Sequence, residues 1–271
     1  MNAVLHHKGV LWGFRTTLLL YMLLLIILPI AGIYVQSLSG GLGVLVESLT
    51  EPLAWQSVWL TIRLAFMAAV INVAVGTVSA WVLHRYSFPG RTLLNSLVDL
   101  PFALPTAVGG LMILLLLGPN SWVGQLADSM GLRIVFAEPA IVVAMVFVTF
   151  PFVIRAVQPL LEEADRSQEE AAHTLGASKW RTFFQVLLPQ MRPGIISGGM
   201  LAFSRALAEF GAVVLVAGNI PGKTLIASVY IFGEIESDNP QGAAAVSVIL
   251  LTLSFLILWL INTLQAREGR S

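Results

Sequence analysis

The sequence predicts an all-α integral membrane protein with six transmembrane helices, on two observations. First, 57% of its 271 residues are hydrophobic and only 11% are charged, with a mean hydropathy of +0.84. A soluble domain carries about 25% charged residues, so this chain has too little polar surface to cover a globule in water. Second, the apolar residues fall into six runs, which are near the ~20 residues that a helix needs to cross a bilayer except for the fourth, which is somewhat short.

The six runs predict spans of different regularity. They cover residues 18–35, 64–83, 100–117, 140–154, 194–216 and 243–263. The second span extends towards the N-terminus to include Arg63. Pro101, Pro105 and the Gly109–Gly110 pair interrupt the third span, and we expect them to break or kink it. Broken helices are tolerated in membranes where they line a cavity.

Lysine and arginine are distributed unevenly between the connecting segments. Eleven of them lie on one side of the predicted topology, namely Lys8, Arg15, Arg85, Arg91, Arg155, Arg166, Lys179, Arg181, Arg192, Arg267 and Arg270. The connections on the other side hold only Arg133 and Lys223. Basic residues accumulate in cytoplasmic segments, so both termini are predicted to be cytoplasmic. The first apolar run is longer than the core of a signal peptide, which favours a retained helix.

The chain divides into three parts under this topology. Residues 1–56 hold the cytoplasmic N-terminus, the first span and an external loop. Residues 57–263 form the transmembrane core, with a long loop at residues 166–190, and residues 264–271 form a cytoplasmic tail.

The net charge is zero, with 15 basic and 15 acidic residues, and no basic stripe indicates nucleic acid as a partner. The absence of cysteine excludes disulfides and thiolate metal sites.

The connection between the fourth and fifth spans predicts two short helices. The first covers residues 166–175, and Gly176 follows where helices commonly end in a left-handed residue. Ser178 can cap the second helix, and Pro189 is expected to stop it. One apolar face is predicted for the second helix, formed by Trp180, Phe183, Phe184, Leu187 and Leu188. The pattern alone is equally compatible with an interfacial helix that only anchors the loop.

This connection resembles the EAA loop of bacterial ABC importer permeases. The matching residues are Glu170, Ala171, Ala172, Gly176, Leu188 and Pro189, with Val186 where isoleucine is usual. In that family the loop forms a coupling helix that docks in a groove of the ATP-hydrolysing subunit. The resemblance therefore implies that these six residues couple the chain to an ATPase. We call residues 166–190 the EAA-like loop.

Three further stretches narrow the resemblance to the T-type permease subunits of sulfate/thiosulfate importers. They are residues 85–91, residues 99–108, and residues 209–213 followed by 217–221. Molybdate permeases share the last of them, and Ala208 replaces a glycine found in many relatives.

The resemblance implies the type I importer fold, a place in the bacterial inner membrane and three kinds of partner. These are a second homologous permease, two ATPase subunits that bind ATP and Mg, and a periplasmic sulfate- or thiosulfate-binding protein. It implies no cofactor and no enzyme activity in this chain.

Two alternatives remain beside sulfate. A molybdate or tungstate permease belongs to the same class, whereas an ion-coupled secondary anion carrier would need no ATPase and is disfavoured by the EAA-like loop. A nucleotide enzyme is least favoured. Residues 217–224 nearly match a P-loop, but they follow a membrane span, and Pro221 removes a backbone amide that such a loop would use.

Charged residues inside predicted spans are candidates for an anion path. Arg63, Arg205 and Glu209 are costly in lipid, so they should face protein or water. Arg205 and Glu209 are four residues apart and can pair on one helix face. Two interpretations are open: a neutral pair that orders the bundle, or a polar lining or gate along the path. Pro101 and Pro105 join the candidates because they break the third span.

Overall fold

A computed structural model describes residues 8–268, and within them the secondary structure is entirely helical. The predicted N-terminal segment before residue 8 and the tail residues 269–271 lie outside the described residues. The first helices are α1 (Lys8–Met22), α2 (Leu28–Leu38), α3 (Gly41–Thr50), α4 (Pro52–Arg85), α5 (Arg91–Val98), α6 (Leu100–Ala103), α7 (Thr106–Leu117) and α8 (Trp122–Ser129). The others are α9 (Glu138–Glu163), α10 (Arg166–Thr174), α11 (Lys179–Thr182), α12 (Leu188–Leu207), α13 (Gly211–Val216), α14 (Ala227–Glu236) and α15 (Pro240–Glu268).

Four helical stretches among the described residues are long and apolar enough to cross a membrane. They are Leu11–Leu38, Pro52–Arg85, Glu138–Glu163 and Pro240–Thr263. The pair α7 and α8, bent by 58°, can provide a fifth. The predicted fifth span is divided between α12 and α13, so the count of six spans is not confirmed by helix length and composition. The multi-pass, all-helical architecture is confirmed.

Helices α4, α9 and α12 pack against one another and form what we call the central bundle. Small residues make their close approach possible. A Cβ atom on Gly194 of α12 would lie 2.4 Å from the carbonyl oxygen of Ala156, and one on Gly198 would lie 2.9 Å from the Cβ of Ala156. Glycine and alanine at helix contacts allow backbones to approach in this way within membranes.

Helix α9 is longer than the sequence predicts, because it begins at Glu138 and continues to Glu163. Pro151 and Pro159 lie inside it without ending it. Neighbouring helices can supply partners for the backbone groups that a proline leaves free in a membrane. Arg155, expected in the connection, therefore lies within α9.

The predicted break of the third span is confirmed at Pro105, but not at the other positions. Helix α6 ends before Leu104, whose backbone is extended, and α7 begins after Pro105. Pro101 lies in the first turn of α6, where a missing N–H costs little. Gly109 and Gly110 are buried inside α7, where they do not interrupt the helix.

The N-terminal helices lie outside the central bundle. A π-helical turn at Leu23–Ile27 joins α1 to α2, so the first span is longer than residues 18–35. Its most apolar stretch buries none of its residues inside the chain. Helix α2 packs against α15, and the hydroxyl oxygens of Tyr34 and Thr252 are 2.8 Å apart.

Candidate functional site

The EAA-like loop is built from local capping interactions that the sequence largely predicts. Asp165 accepts hydrogen bonds from the hydroxyl and amide of Ser167 at the start of α10, and these lower the pKa of its carboxyl group. Gly176 follows α10 with a φ of +80°, as predicted for a left-handed end. Ser178 caps α11 by accepting a hydrogen bond from the amide of Arg181 at 3.3 Å.

Several large apolar side chains of the EAA-like loop are exposed. Leu175 is 88% exposed, and Trp180 and Phe184 are largely exposed as well. The rings of Trp180 and Phe184 stack with their centroids 6.2 Å apart. Glu170 and Ala171 are also exposed. Exposed apolar groups rimmed by polar residues are typical of a surface that binds another protein.

The predicted single apolar face of the second loop helix is wrong. Phe183 and Leu187 are buried, whereas Trp180 and Phe184 face outwards. Adjacent residues of a helix point about 100° apart, so the row of Phe183 and Leu187 packs into the core while the neighbouring row of Trp180 and Phe184 does not.

The prediction that Pro189 stops the loop helix is also wrong. Pro189 lies in the first turn of α12, where its missing N–H is tolerated. The loop therefore runs directly into α12 through the π-helical turn. Of the predicted coupling residues, Glu170, Ala171 and Ala172 lie on α10 and Gly176 follows it, whereas Leu188 and Pro189 begin α12.

Arg205 and Glu209 form the predicted ion pair, but at a helix end and not along one helical face. Helix α12 ends at Leu207, and Glu209 lies between α12 and α13. Its side chain is only 1% exposed, with its Oε2 atom 2.9 Å from Nη1 of Arg205. Its Oε1 atom accepts a hydrogen bond from the amide of Ala212 at 2.9 Å. Glu209 therefore occupies the N-terminus of α13, while Arg205 remains 34% exposed.

The break before α13 lies beside the break before α7. A Cβ atom on Gly211 would lie 2.3 Å from Oγ1 of Thr106, and one on Gly110 would lie 2.6 Å from the carbonyl oxygen of Ala212. Only glycine permits such approaches. The structure thus places the predicted break at Pro105 next to the chain that carries Glu209.

A polar network that the sequence did not predict joins the third span to α9. Arg155 donates two hydrogen bonds to the carboxylate of Asp99, at 2.7 and 2.6 Å, and one to the carbonyl oxygen of Asn95 at 2.9 Å. Gln158 donates to the side-chain oxygen of Asn95 at 3.1 Å. Nothing in the spacing of the sequence connects Asp99 with Arg155, because they are 56 positions apart.

Arg63 lies apart from Arg205. It pairs with Glu138 at the start of α9, and both side chains are nearly half exposed. Lys223 and Gln56 line the same cleft. Because Arg63 and Arg85 are 22 residues apart on α4, about 33 Å of helix separates them. Arg63 therefore lies towards the end of α4 opposite the EAA-like loop and not midway along a span.

Long apolar helices, two neighbouring broken spans and an exposed loop define a multi-pass membrane transport subunit. The chain belongs to the family of binding-protein-dependent transport system inner membrane components, whose model matches residues 72–270. Membership of this family identifies it as a membrane-spanning subunit of a transporter and not an enzyme. The predicted resemblance to ABC importer permeases is confirmed.

The chain is also similar to individual transport permeases. The chain is 42% identical over 266 residues to the sulfate transport system permease protein CysT of Escherichia coli (strain K12), covering 97% of this chain and 96% of the relative. It is 42% identical to the probable sulfate transport system permease protein cysT of Nephroselmis olivacea, covering 97% and 93%. A bacterial alginate ABC transporter, crystallised with an alginate pentasaccharide-bound periplasmic protein, shares its fold. The TM-score is 0.77 at 15% identity, covering 97% of this chain and 96% of that chain.

Proposed function

We propose that the chain is the permease subunit of an ATP-driven importer of sulfate and thiosulfate in a bacterial inner membrane. The observation that carries this proposal is the 42% identity to a sulfate transport permease over nearly the full length of both chains. The matched region covers 97% of this chain. The chain supplies half of the transmembrane path, and no cofactor is bound in it.

The partners follow from the class of importer. The chain pairs with a second homologous permease, two ATPase subunits that bind ATP and Mg, and a periplasmic sulfate- or thiosulfate-binding protein. The solved alginate transporter with its periplasmic protein supports a partner of the last kind. Both termini and the EAA-like loop lie in the cytoplasm, which the uneven distribution of basic residues supports.

The EAA-like loop contacts the ATPase subunit through the residues that it exposes. Leu175, Trp180 and Phe184 supply apolar area, and the carboxylate of Glu170 supplies a polar contact. Ala171 and Ala172 allow close approach of the partner because their side chains are small. Gly176 gives the turn that keeps α10 and α11 together. Leu188 and Pro189 continue the loop into α12, so a movement of the loop reaches the helix that carries Arg205.

The anion path runs along the two broken spans. A dianion crossing a region of low dielectric constant needs positive charge or oriented dipoles nearby. Arg205 can supply the charge because a third of its side chain is exposed, even though Glu209 binds one of its nitrogens. The break at Pro105, one turn after Pro101, places the positive end of the α7 dipole beside the same region. Arg63 and Glu138 would form a separate gate at the outer end.

Reconstitution into vesicles tests the proposal. The permease pair, the binding protein and radiolabelled sulfate are combined with or without the ATPase, and uptake is measured with ATP. We expect uptake only with the ATPase and ATP, and competition by thiosulfate stronger than by molybdate. Uptake without the ATPase, driven by an ion gradient, would identify a secondary carrier. Preferred uptake of molybdate or tungstate would assign the chain to the other importer.

A further inference from the structure

An ion pair inside the chain joins the EAA-like loop to the end of α4. Arg85, the last residue of α4, pairs with Glu169 of α10, and their side chains are only 10% and 21% exposed. Nε and Nη2 of Arg85 and Oε1 of Glu169 are buried from solvent. The two residues are 84 positions apart in the sequence, and the motif that defines the EAA-like loop includes neither of them.

The surroundings of the pair favour a specific contact. It lies in a cleft of about 350 Å³ that Trp81 and Leu187 also line, together with the charged residues Glu170 and Lys179. The ring of Trp81 is 4.8 Å from that of Phe183, measured between centroids. Because both side chains of the pair are largely buried, solvent screens it less than an ion pair at the surface. Loss of either charge leaves the other poorly solvated.

Glu169 and its neighbour Glu170 line the same cleft but differ in exposure. Successive residues of a helix point about 100° apart, which follows from 3.6 residues per turn. Glu169 is partly buried against Arg85, whereas Glu170 is exposed. One carboxylate therefore binds within the chain, and the adjacent one remains available to a partner.

The EAA-like loop is thus attached to the central bundle at two places. It continues into α12 through the π-helical turn, and Gln190 of α12 donates a hydrogen bond to Gln168 of α10 at 2.7 Å. The second attachment is the Arg85–Glu169 pair. Helix α4 has 34 residues, about 51 Å, and packs along both α9 and α12. A displacement of α10 at this pair acts directly on the end of α4.

We propose that the Arg85–Glu169 pair is a positioning contact that transmits movement of the EAA-like loop to α4 during transport. This inference rests on the proposed coupling of the loop to an ATPase. Glu170 binds the ATPase, whereas Glu169 passes the resulting displacement into the membrane domain.

The first measurement is the coupling of uptake to ATP hydrolysis. Glu169→Gln and Arg85→Met remove one charge each, Arg85→Lys keeps it, and Glu163→Gln removes an exposed acid nearby as a control. We expect the two charge-removing variants to retain the bound ATPase but to lose about tenfold or more in sulfate taken up per ATP hydrolysed, since breaking a buried pair is costly. Arg85→Lys should retain a substantial part of the coupling, and Glu163→Gln all of it.

The second measurement does not depend on which anion is carried. The chain has no cysteine, so Gln56→Cys places a single thiol on α4, 29 residues before Arg85 and exposed at the other end of the helix. With the ATPase bound, ATP should change the rate at which an impermeant thiol reagent labels this cysteine. Addition of Glu169→Gln should abolish that change.

Three results would overturn the inference. The first is unchanged coupling of uptake to ATP hydrolysis in Glu169→Gln. The second is loss of bound ATPase in Glu169→Gln as large as in Glu170→Lys, which changes the residue proposed to bind the ATPase. The third is an ATP-dependent labelling rate that persists when the Arg85–Glu169 pair is removed. Failure of the proposed function would give a different result, because the unmodified complex would then hydrolyse ATP without carrying sulfate. The labelling experiment would still show whether the Arg85–Glu169 pair transmits movement to α4.

Discussion

Replacing Arg205 and Glu209 singly and together separates the two roles that their pair can have. Glu209 is almost fully buried and makes two contacts, one with Arg205 and one with the amide of Ala212. Arg205 is one-third exposed. The two single changes should therefore not be equivalent: Arg205→Met leaves a buried carboxylate with the Ala212 amide alone, whereas Glu209→Gln leaves a partly solvated guanidinium.

The burial of each group sets the expected magnitudes. Removing one partner of a buried ion pair costs about 3–5 kcal/mol, which we expect for Arg205→Met. Glu209→Gln keeps an amide oxygen that can accept from Ala212, so its loss should be near the value of one charged hydrogen bond, about 1.5–3 kcal/mol. The double variant leaves no unpaired buried charge, and its stability should recover much of what Arg205→Met alone loses.

The assay measures sulfate uptake divided by the amount of assembled complex, with Arg192→Met as the control. Arg192 is an exposed arginine on the same helix. We expect the double variant to assemble nearly normally and to transport poorly, because the positive charge near the path is missing. Arg205→Lys should retain part of the uptake because it keeps a charge, although it loses the planar guanidinium.

Full uptake by the double variant would refute the role of Arg205 in the path. The pair would then only order the junction between α12 and α13. A larger loss of assembly in Glu209→Gln than in Arg205→Met would refute the reasoning from burial.

Two further predictions concern topology and the EAA-like loop. A single cysteine at Lys223 or Arg133 should react with an impermeant thiol reagent from the periplasmic side of intact cells, and one at Lys179 should not. Labelling at Lys179 from outside would reverse the orientation. Gly176→Val should weaken ATPase binding and abolish uptake while the chain still inserts, because a β-branched residue at a φ of +80° costs about 1–3 kcal/mol. The measurement is copurification of the ATPase, and a normal amount beside normal uptake would contradict the assignment of the loop.

The sequence correctly predicted how the short helices of the EAA-like loop end and begin. Gly176 adopts the left-handed conformation and Ser178 caps α11, because both effects depend on one or two neighbouring residues. The break at Pro105 was predicted for the same reason. The apolar runs located the spans but not their ends: α4 extends to Pro52 and Arg85, beyond the most apolar residues, since backbone hydrogen bonding continues where hydropathy falls.

Contacts between distant segments could not be read from the sequence. Asp99 and Arg155, like Arg85 and Glu169, meet only after α4, α9 and the third span have packed. The error at Pro189 has a different cause. A proline both begins and ends helices, and the π-helical turn before it left no signal in the apolar pattern.

The two neighbouring helix breaks differ in how their free amides are satisfied, and this difference supports the proposed path beside α7. In a membrane, the first amides of a helix need protein, water or solute as partners. At α13 the carboxylate of Glu209 supplies one such partner. At α7 the preceding residue is Pro105, which provides no side-chain cap. The amide of Val108 donates to the carbonyl oxygen of Pro105 at 2.9 Å. Under the proposed path, the amides before it would bind water or a passing anion. In the proposed path, Arg205 contributes to the extent that its exposed third reaches that region.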